Sequence, residues 1–278
     1  MLVLVLSELV TNAVVHSATA QVQVELWAED GTVTVTVLDD GAPPPADQPE
    51  LRAAGHGTHP LTLSGLADKQ GVPAGQQTHV QDIVDEVERQ DLRDVVLVGH
   101  SYSGIPVGQA AERIGDRLAR VVFVDSNVPA DGESFVSGWW EGPAKLEASI
   151  AGNGGYWAPL TAADFDGQGL TDEQIARIVG GSTPHPGTSL AEPAVLARPL
   201  GELPATYIKC LLDGAEPSDD VAKLLTGEHW RLVEMNTGHW PMFSQPLWHG
   251  SCTSQPWNPE LRPARGATSV ACPPGGGS

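Results

Sequence analysis

The chain has 278 residues, of which 41% are hydrophobic and 18% charged, and a formal net charge of −20. That length can bury one large core or two small ones. The acid excess argues against nucleic acid and anionic membrane surfaces as partners, because both need clustered Lys and Arg, and it reads as a solubility feature.

Three cysteines, Cys210, Cys252 and Cys272, lack the spacing of a metal site. An odd count without a secretory segment fits a reducing, cytoplasmic setting, and neither metal nor cofactor is expected. The apolar run Met1–Leu6 is too short to span a bilayer and has no basic flank, so no signal peptide is expected.

In chain order, residues 2–16 carry Leu and Val at helical spacing and predict a helix. Gln21–Trp27 and Thr32–Leu38 alternate apolar and polar residues around Asp30-Gly31, which predicts a hairpin. Gly41 and Pro43-Pro44-Pro45 break regular structure and open a linker. The organisation expected is a small fragment over 1–45, a linker over 46–54, a main domain over 55–246 and an irregular tail over 247–278.

Within the main domain Gly55-His56-Gly57-Thr58 reads as a loop and Thr78–Gln90 as an amphipathic helix. The strand Val95–Val98, a helix near Ile105–Ile114 and the strand Arg120–Asp125 follow. Residues 126–200, with Trp139, Trp140 and Trp157, lose the alternation and suit an inserted lid. A strand at Ala205–Leu212, a helix near Asp219–Leu225 and a strand at Trp230–Met235 restore it. Strands alternating with helices predict a parallel sheet covered on both faces. A closing helix is expected after Pro246, and the pattern there provides none.

The chemistry centres on Val95-Val96-Leu97-Val98-Gly99-His100-Ser101-Tyr102-Ser103-Gly104. A buried strand running into Gly-x-Ser-x-small-Gly predicts a nucleophile elbow, where a tight turn between strand and helix presents the serine. Ser103 stands where glycine is usual. A serine needs a base, and the base needs an oriented tautomer. Asp213 ends one late strand and His239 follows the next, giving the order Ser101, Asp213, His239. Asp125, at the end of the preceding core strand, is the runner-up acid. His56 and His59 read as loop residues, and the side chain of His100 is expected to point away from the chemistry.

These motifs resemble the α/β-hydrolase superfamily, in the branch of plant methylesterases and hydroxynitrile lyases. The resemblance runs from about Gly55 to Pro246 on Pro60–Leu66, Thr78-His79-Val80-Gln81-Asp82, the elbow, Val124-Asp125 with Val128–Ser134, Cys210-Leu211-Leu212-Asp213 and Thr237-Gly238-His239. It implies an α/β fold: an α/β-hydrolase fold lacking its first strands, with an inserted lid; the helix and hairpin expected before it make a small α+β fragment. It implies hydrolysis of a small carboxylic ester, with the backbone N–H of Tyr102 as one oxyanion donor. The lyases carry a lysine after the catalytic histidine; Trp240 stands there, which favours hydrolysis. The family's early strands and the His-Gly loop that gives the second donor have no counterpart before Gly55. An exposed sheet edge and weak activity are therefore expected.

Residues 4–45 resemble the histidine-kinase-like ATPase fold in its anti-sigma-factor serine kinase branch. Glu8 and Asn12, four apart on the expected helix, match its magnesium-binding box, and Asp39 and Gly41 match its adenine-reading loop. The glycine-rich phosphate lid is missing. Two alternatives follow: a regulatory ATP-binding module, or a non-functional fusion of two partial domains.

Overall fold

A computed structural model describes residues 3–6, 20–28, 31–39, 57–244 and 247–248. The strands are β1 (Val3–Leu6), β2 (Ala20–Ala28), β3 (Gly31–Asp39), β4 (Gly57–Pro60), β5 (Val95–His100), β6 (Leu118–Val124), β7 (Tyr156–Trp157), β8 (His185–Pro186), β9 (Ala205–Cys210), β10 (Trp230–Met235) and β11 (Leu247–Trp248).

The main sheet has the order β10-β9-β6-β5-β1-β4, and every pairing in it is parallel. All six residues of β5 are buried. Successive side chains point to opposite faces of the sheet, so each face receives its own core. Val95 and Leu97 pack with Val80, Ile83 and Val87 of the helix Gln76–Arg89. Val96 and Val98 pack with Met235, Trp240 and Phe243 on the other face. Each fully buried aliphatic side chain contributes about 1.5–3 kcal/mol. Phe123 stacks on Trp230 with centroids 5.2 Å apart and closes the first core beneath β6 and β10.

The lid carries the helices Pro143–Gly152, Asp172–Gly181 and Gly187–Ala191 and the antiparallel pair β7-β8. A third cluster joins it to the elbow, with Phe135, Val136, Leu146 and Leu190 packed around Tyr102 and Ile105. No helix among the described residues is long and apolar enough to cross a membrane.

Several expectations change. The helix expected over 2–16 does not hold at its start, because Val3–Leu6 is a strand. The alternating Val-Leu-Val-Leu run finds backbone partners on both edges, in β5 and β4. The loop expected at Gly55–Thr58 gives way from Gly57 to β4. With β1 and β4 beyond it, β5 is an interior strand, and the edge expected there is covered. The hairpin is found as β2 and β3, paired antiparallel from Ala28 and Gly31 outward. A short helix, Pro241–Ser244, and β11 follow His239, and the rest of the expected tail lies outside the described residues.

Candidate active site

Ser101 stands at the C-terminal end of β5 with φ 55°, in the left-handed region that a non-glycine residue rarely occupies. Holding it there costs on the order of 1–3 kcal/mol, and the surrounding contacts impose it. The Asn127 N–H donates to the Ser101 carbonyl at 3.1 Å. A Cβ on Gly99 would sit 2.8 Å from the Gly104 backbone, so the turn closes only on glycine. Ser103 is accommodated because its hydroxyl replaces space with bonding. It accepts from the His100 N–H at 3.1 Å and donates to the His100 carbonyl at 2.6 Å.

His239 follows β10 after Asn236-Thr237-Gly238. Its Nδ1 lies 2.9 Å from Asp125 Oδ2 and 3.5 Å from Asp213 Oδ2. The structure therefore brings both candidate acids to one ring nitrogen, the runner-up at the shorter distance. The two differ in setting: the Asp125 side chain is 2% exposed and that of Asp213 43%.

Asp125 Oδ1 also accepts from Lys209 Nζ at 2.7 Å and from the Cys210 N–H at 3.2 Å. Burial alone would raise the Asp125 carboxyl. Its hydrogen bonds to His239 and Lys209, and their charges, outweigh burial and hold it down at about 2. Lys209 Nζ donates in addition to the Asp213 carbonyl at 3.0 Å, tying both acid-bearing segments together. Burial and the charge of Asp125 push the neighbouring Cys210 thiol and Tyr207 hydroxyl up, so both stay neutral.

One ligand atom each from Asp125, Asp213 and His239 lies within 4.8 Å of the others. The Lys209 ammonium already balances Asp125, so the group is suited to orienting an imidazole rather than to gathering a cation.

Three residues of this centre are missed or misread in the sequence. Gln168, on the lid, takes the His239 N–H on its Oε1 and donates from Nε2 to Asp213 Oδ1 at 3.2 Å. Lys209 reads as an ordinary strand residue until its partner is known. The expectation for His100 is overturned, because its side chain turns toward the chemistry. His100 Nε2 donates to the His239 carbonyl at 2.6 Å, and the two rings lie 4.5 Å apart. Burial, with the adjacent His239, lowers the His100 pKa to about 3 and keeps it neutral.

Tyr102 and Ser103 line a small, mainly apolar cavity of about 50 Å³ together with Trp157, Leu160, Ile178 and Trp240. A wider depression of about 720 Å³ reaches Asp125, Asp213 and His239. Of the residues matched to a nucleotide site, Asp39 ends β3, and Glu8, Asn12 and Gly41 lie outside the described residues.

The chain belongs to the alpha/beta hydrolase family, which it matches over residues 45–248. Residues 1–70 match the histidine kinase-, DNA gyrase B- and HSP90-like ATPase family. A carbendazim hydrolyzing esterase of Nocardioides sp. (strain SG-4G) is 28% identical over 212 residues, covering 70% of this chain and 86% of the esterase. A probable hydrolase R7 of Phoma sp. (strain ATCC 20986 / MF5453) is 28% identical over 214 residues, covering 70% of this chain and 84% of its own. Among solved structures, an extracellular alpha/beta-hydrolase from a Paenibacillus species superposes with a TM-score of 0.66 at 20% identity, over 88% of this chain and 93% of that one. Polyneuridine aldehyde esterase gives 0.53 at 16% identity, over 88% and 94%.

Proposed function

We propose that the protein is a serine hydrolase of small carboxylic esters. The observation that carries this is the His239 imidazole, set beside the elbow and held through Nδ1 by a buried carboxylate 2.9 Å away. A proton fixed on Nδ1 leaves Nε2 as the basic nitrogen.

In this reading Ser101 Oγ attacks the ester carbonyl as His239 Nε2 takes its proton. The backbone N–H of Tyr102 donates to the developing oxyanion. His239 returns the proton to the leaving alcohol, water then attacks the acyl-enzyme through the same base, and the acid is released. The carboxylate pair at Nδ1, Asp125 and Asp213, stabilises the imidazolium formed in each step.

The apolar cavity beside Tyr102 suits an uncharged apolar acyl or alkyl group, in keeping with relatives named for ester hydrolysis. No cofactor, nucleotide or macromolecular partner enters this chemistry, and the cytoplasmic setting rests on cysteine usage. With one oxyanion donor assigned, turnover below that of a fully equipped esterase is expected; a single donor is worth about 10²–10³ in rate.

A fluorophosphonate probe tests the reading. Wild-type protein is expected to label and to hydrolyse a nitrophenyl ester, and Ser101→Ala to do neither. Equal labelling of the two proteins overturns it.

A further inference from the structure

The motif Thr78-His79-Val80-Gln81-Asp82 lies on the helix Gln76–Arg89, outside the Ser101–His239 centre, yet its histidine reaches the elbow. His79 is fully buried. Its Nε2 lies 2.9 Å from the Ser64 carbonyl and its Nδ1 3.0 Å from the Tyr102 hydroxyl.

The proton inventory fixes the directions. A carbonyl only accepts, so the ring proton sits on Nε2 and donates to Ser64. Burial lowers the pKa of His79 and keeps the ring neutral, although the Ser64 bond and the nearby Asp82 and Glu192 pull the other way. Nδ1 is then an acceptor, and the Tyr102 hydroxyl donates to it. The same hydroxyl lies 3.2 Å from the Ser189 carbonyl, on the lid helix Gly187–Ala191. One hydrogen thus has two acceptors, one on the scaffold and one on the lid.

The ends of this chain are anchored as well. Ser64 donates from its N–H and its hydroxyl to the Asp82 carboxylate at 2.7 and 3.0 Å, back on the helix that carries His79. His185 meets the Tyr102 ring edge-on at 4.7 Å and bonds the Ser189 hydroxyl at 2.9 Å. The Tyr102 side chain, 2% exposed, is therefore gripped along its length and at its tip.

Tyr102 is also the residue whose backbone N–H faces the reacting centre in the hydrolase reading. A strained turn such as the one at Ser101 persists only when its surroundings over-determine it. The grip on the next side chain is one such constraint.

We propose that His79 is a positioning residue that acts through the Tyr102 hydroxyl to hold the oxyanion N–H in line, and that Ser189 couples this hold to the lid. The proposal rests on the serine-hydrolase reading and adds a part to it. His79 touches no substrate. It fixes a ring whose backbone does the work.

Three variants separate the bonds. Tyr102→Phe removes only the hydroxyl. His79→Gln places its amide near the Nε2 position and keeps the Ser64 bond while losing Tyr102. His79→Asn places its amide near the Nδ1 position and keeps a partner for Tyr102. An interaction felt only in the transition state appears in kcat and leaves KM in place.

Tyr102→Phe and His79→Gln are expected to lower kcat for a nitrophenyl ester by about tenfold, part of what full loss of a donor costs, with KM unchanged. His79→Asn is expected to recover most of that loss. Wild-type kcat in Tyr102→Phe, alongside a dead Ser101→Ala, overturns the proposal and leaves the hydrolase reading standing. Equal defects in His79→Asn and His79→Gln also overturn it, because a purely structural role does not distinguish the two amides. Should either His79 variant fail to fold, Tyr102→Phe decides alone. Turnover surviving in Ser101→Ala removes the hydrolase reading itself.

Discussion

Two carboxylates face one N–H of His239, and they are not equivalent. Asp125 is buried, charge-balanced by Lys209 and 2.9 Å from Nδ1; Asp213 is half-exposed and 3.5 Å away. A ring held by two acceptors keeps its tautomer when one is lost. Asp213→Asn is accordingly expected to keep kcat within about tenfold of wild type, whereas removing both acids costs on the order of 10⁴, the scale of a triad deprived of its acid. Asp125→Asn alone would strand the Lys209 ammonium and destabilise the fold by about 3–5 kcal/mol. The double loss is therefore built as D125N/K209M/D213N and read by steady-state kinetics beside a thermal melt. A 10⁴-fold loss in Asp213→Asn by itself would show that Asp125 carries none of the role. The sequence displays both aspartates at strand ends, which is how they enter as candidates. Their distances to His239 depend on the backbone of Asp125, which sits at φ 41°, and residue pattern does not encode that angle. His100 is illegible for the same reason: a strained turn re-aims the side chains on either side of it.

At the scale of elements, the elbow is where sequence and structure agree most closely, because steric demand leaves little freedom there. The gap between β5 and the helix Gly104–Ile114 that follows the elbow is set by the 2.8 Å approach that a Cβ on Gly99 would make to Gly104. Gly99→Ala is expected to cost about 1–3 kcal/mol through overpacking, lowering the melting midpoint by roughly 5 °C in a chain of this size. A midpoint equal to wild type would mean that the turn has slack the contacts do not show. β5, β6, β9 and β10 were legible from their apolar runs and the helices between them. β1 and β4 were not. Val3–Leu6 fits a helical stripe as well as a strand, and a four-residue segment is decided by the partners it meets rather than by its own period. Gly57–Pro60 has no apolar run and becomes a strand only through pairing with β1.

For the molecule as a whole, buried neutral histidines tie stability to pH. Burial holds the buried His100 and the partly buried His185 at about 3, with neighbouring histidines adding to the effect. The unfolded chain binds a proton at each from about pH 6.5 downward, and the folded chain does not until about pH 3. Between those values the unfolded state holds more protons, so stability rises with pH and falls as the solution is acidified. The slope is about 1.4 kcal/mol per pH unit for each histidine. The depressed Asp125 adds a second loss at lower pH, because below about 4 the unfolded chain protonates this carboxyl while the folded chain keeps it charged down to about 2. Denaturant melts from pH 8 to pH 4 are expected to show stability declining from near pH 6, with a shallower slope in His185→Gln. A flat profile down to pH 4 would contradict the burial of these rings.

The strand beside the nucleophile strand falls in a family match that β5 does not share. Val3–Leu6 falls in the segment that matches the ATPase family, and it pairs in register with β5 of the hydrolase sheet, Leu6 level with Val98. The family matches and the sheet therefore draw their borders in different places along this chain. A parallel sheet asks of an incoming strand only free backbone groups on both edges and an apolar sequence, and four alternating Val and Leu residues meet that request whatever their origin. A border drawn where the hydrolase match begins, at residue 45, would leave β1 outside the hydrogen-bonded sheet that carries Ser101.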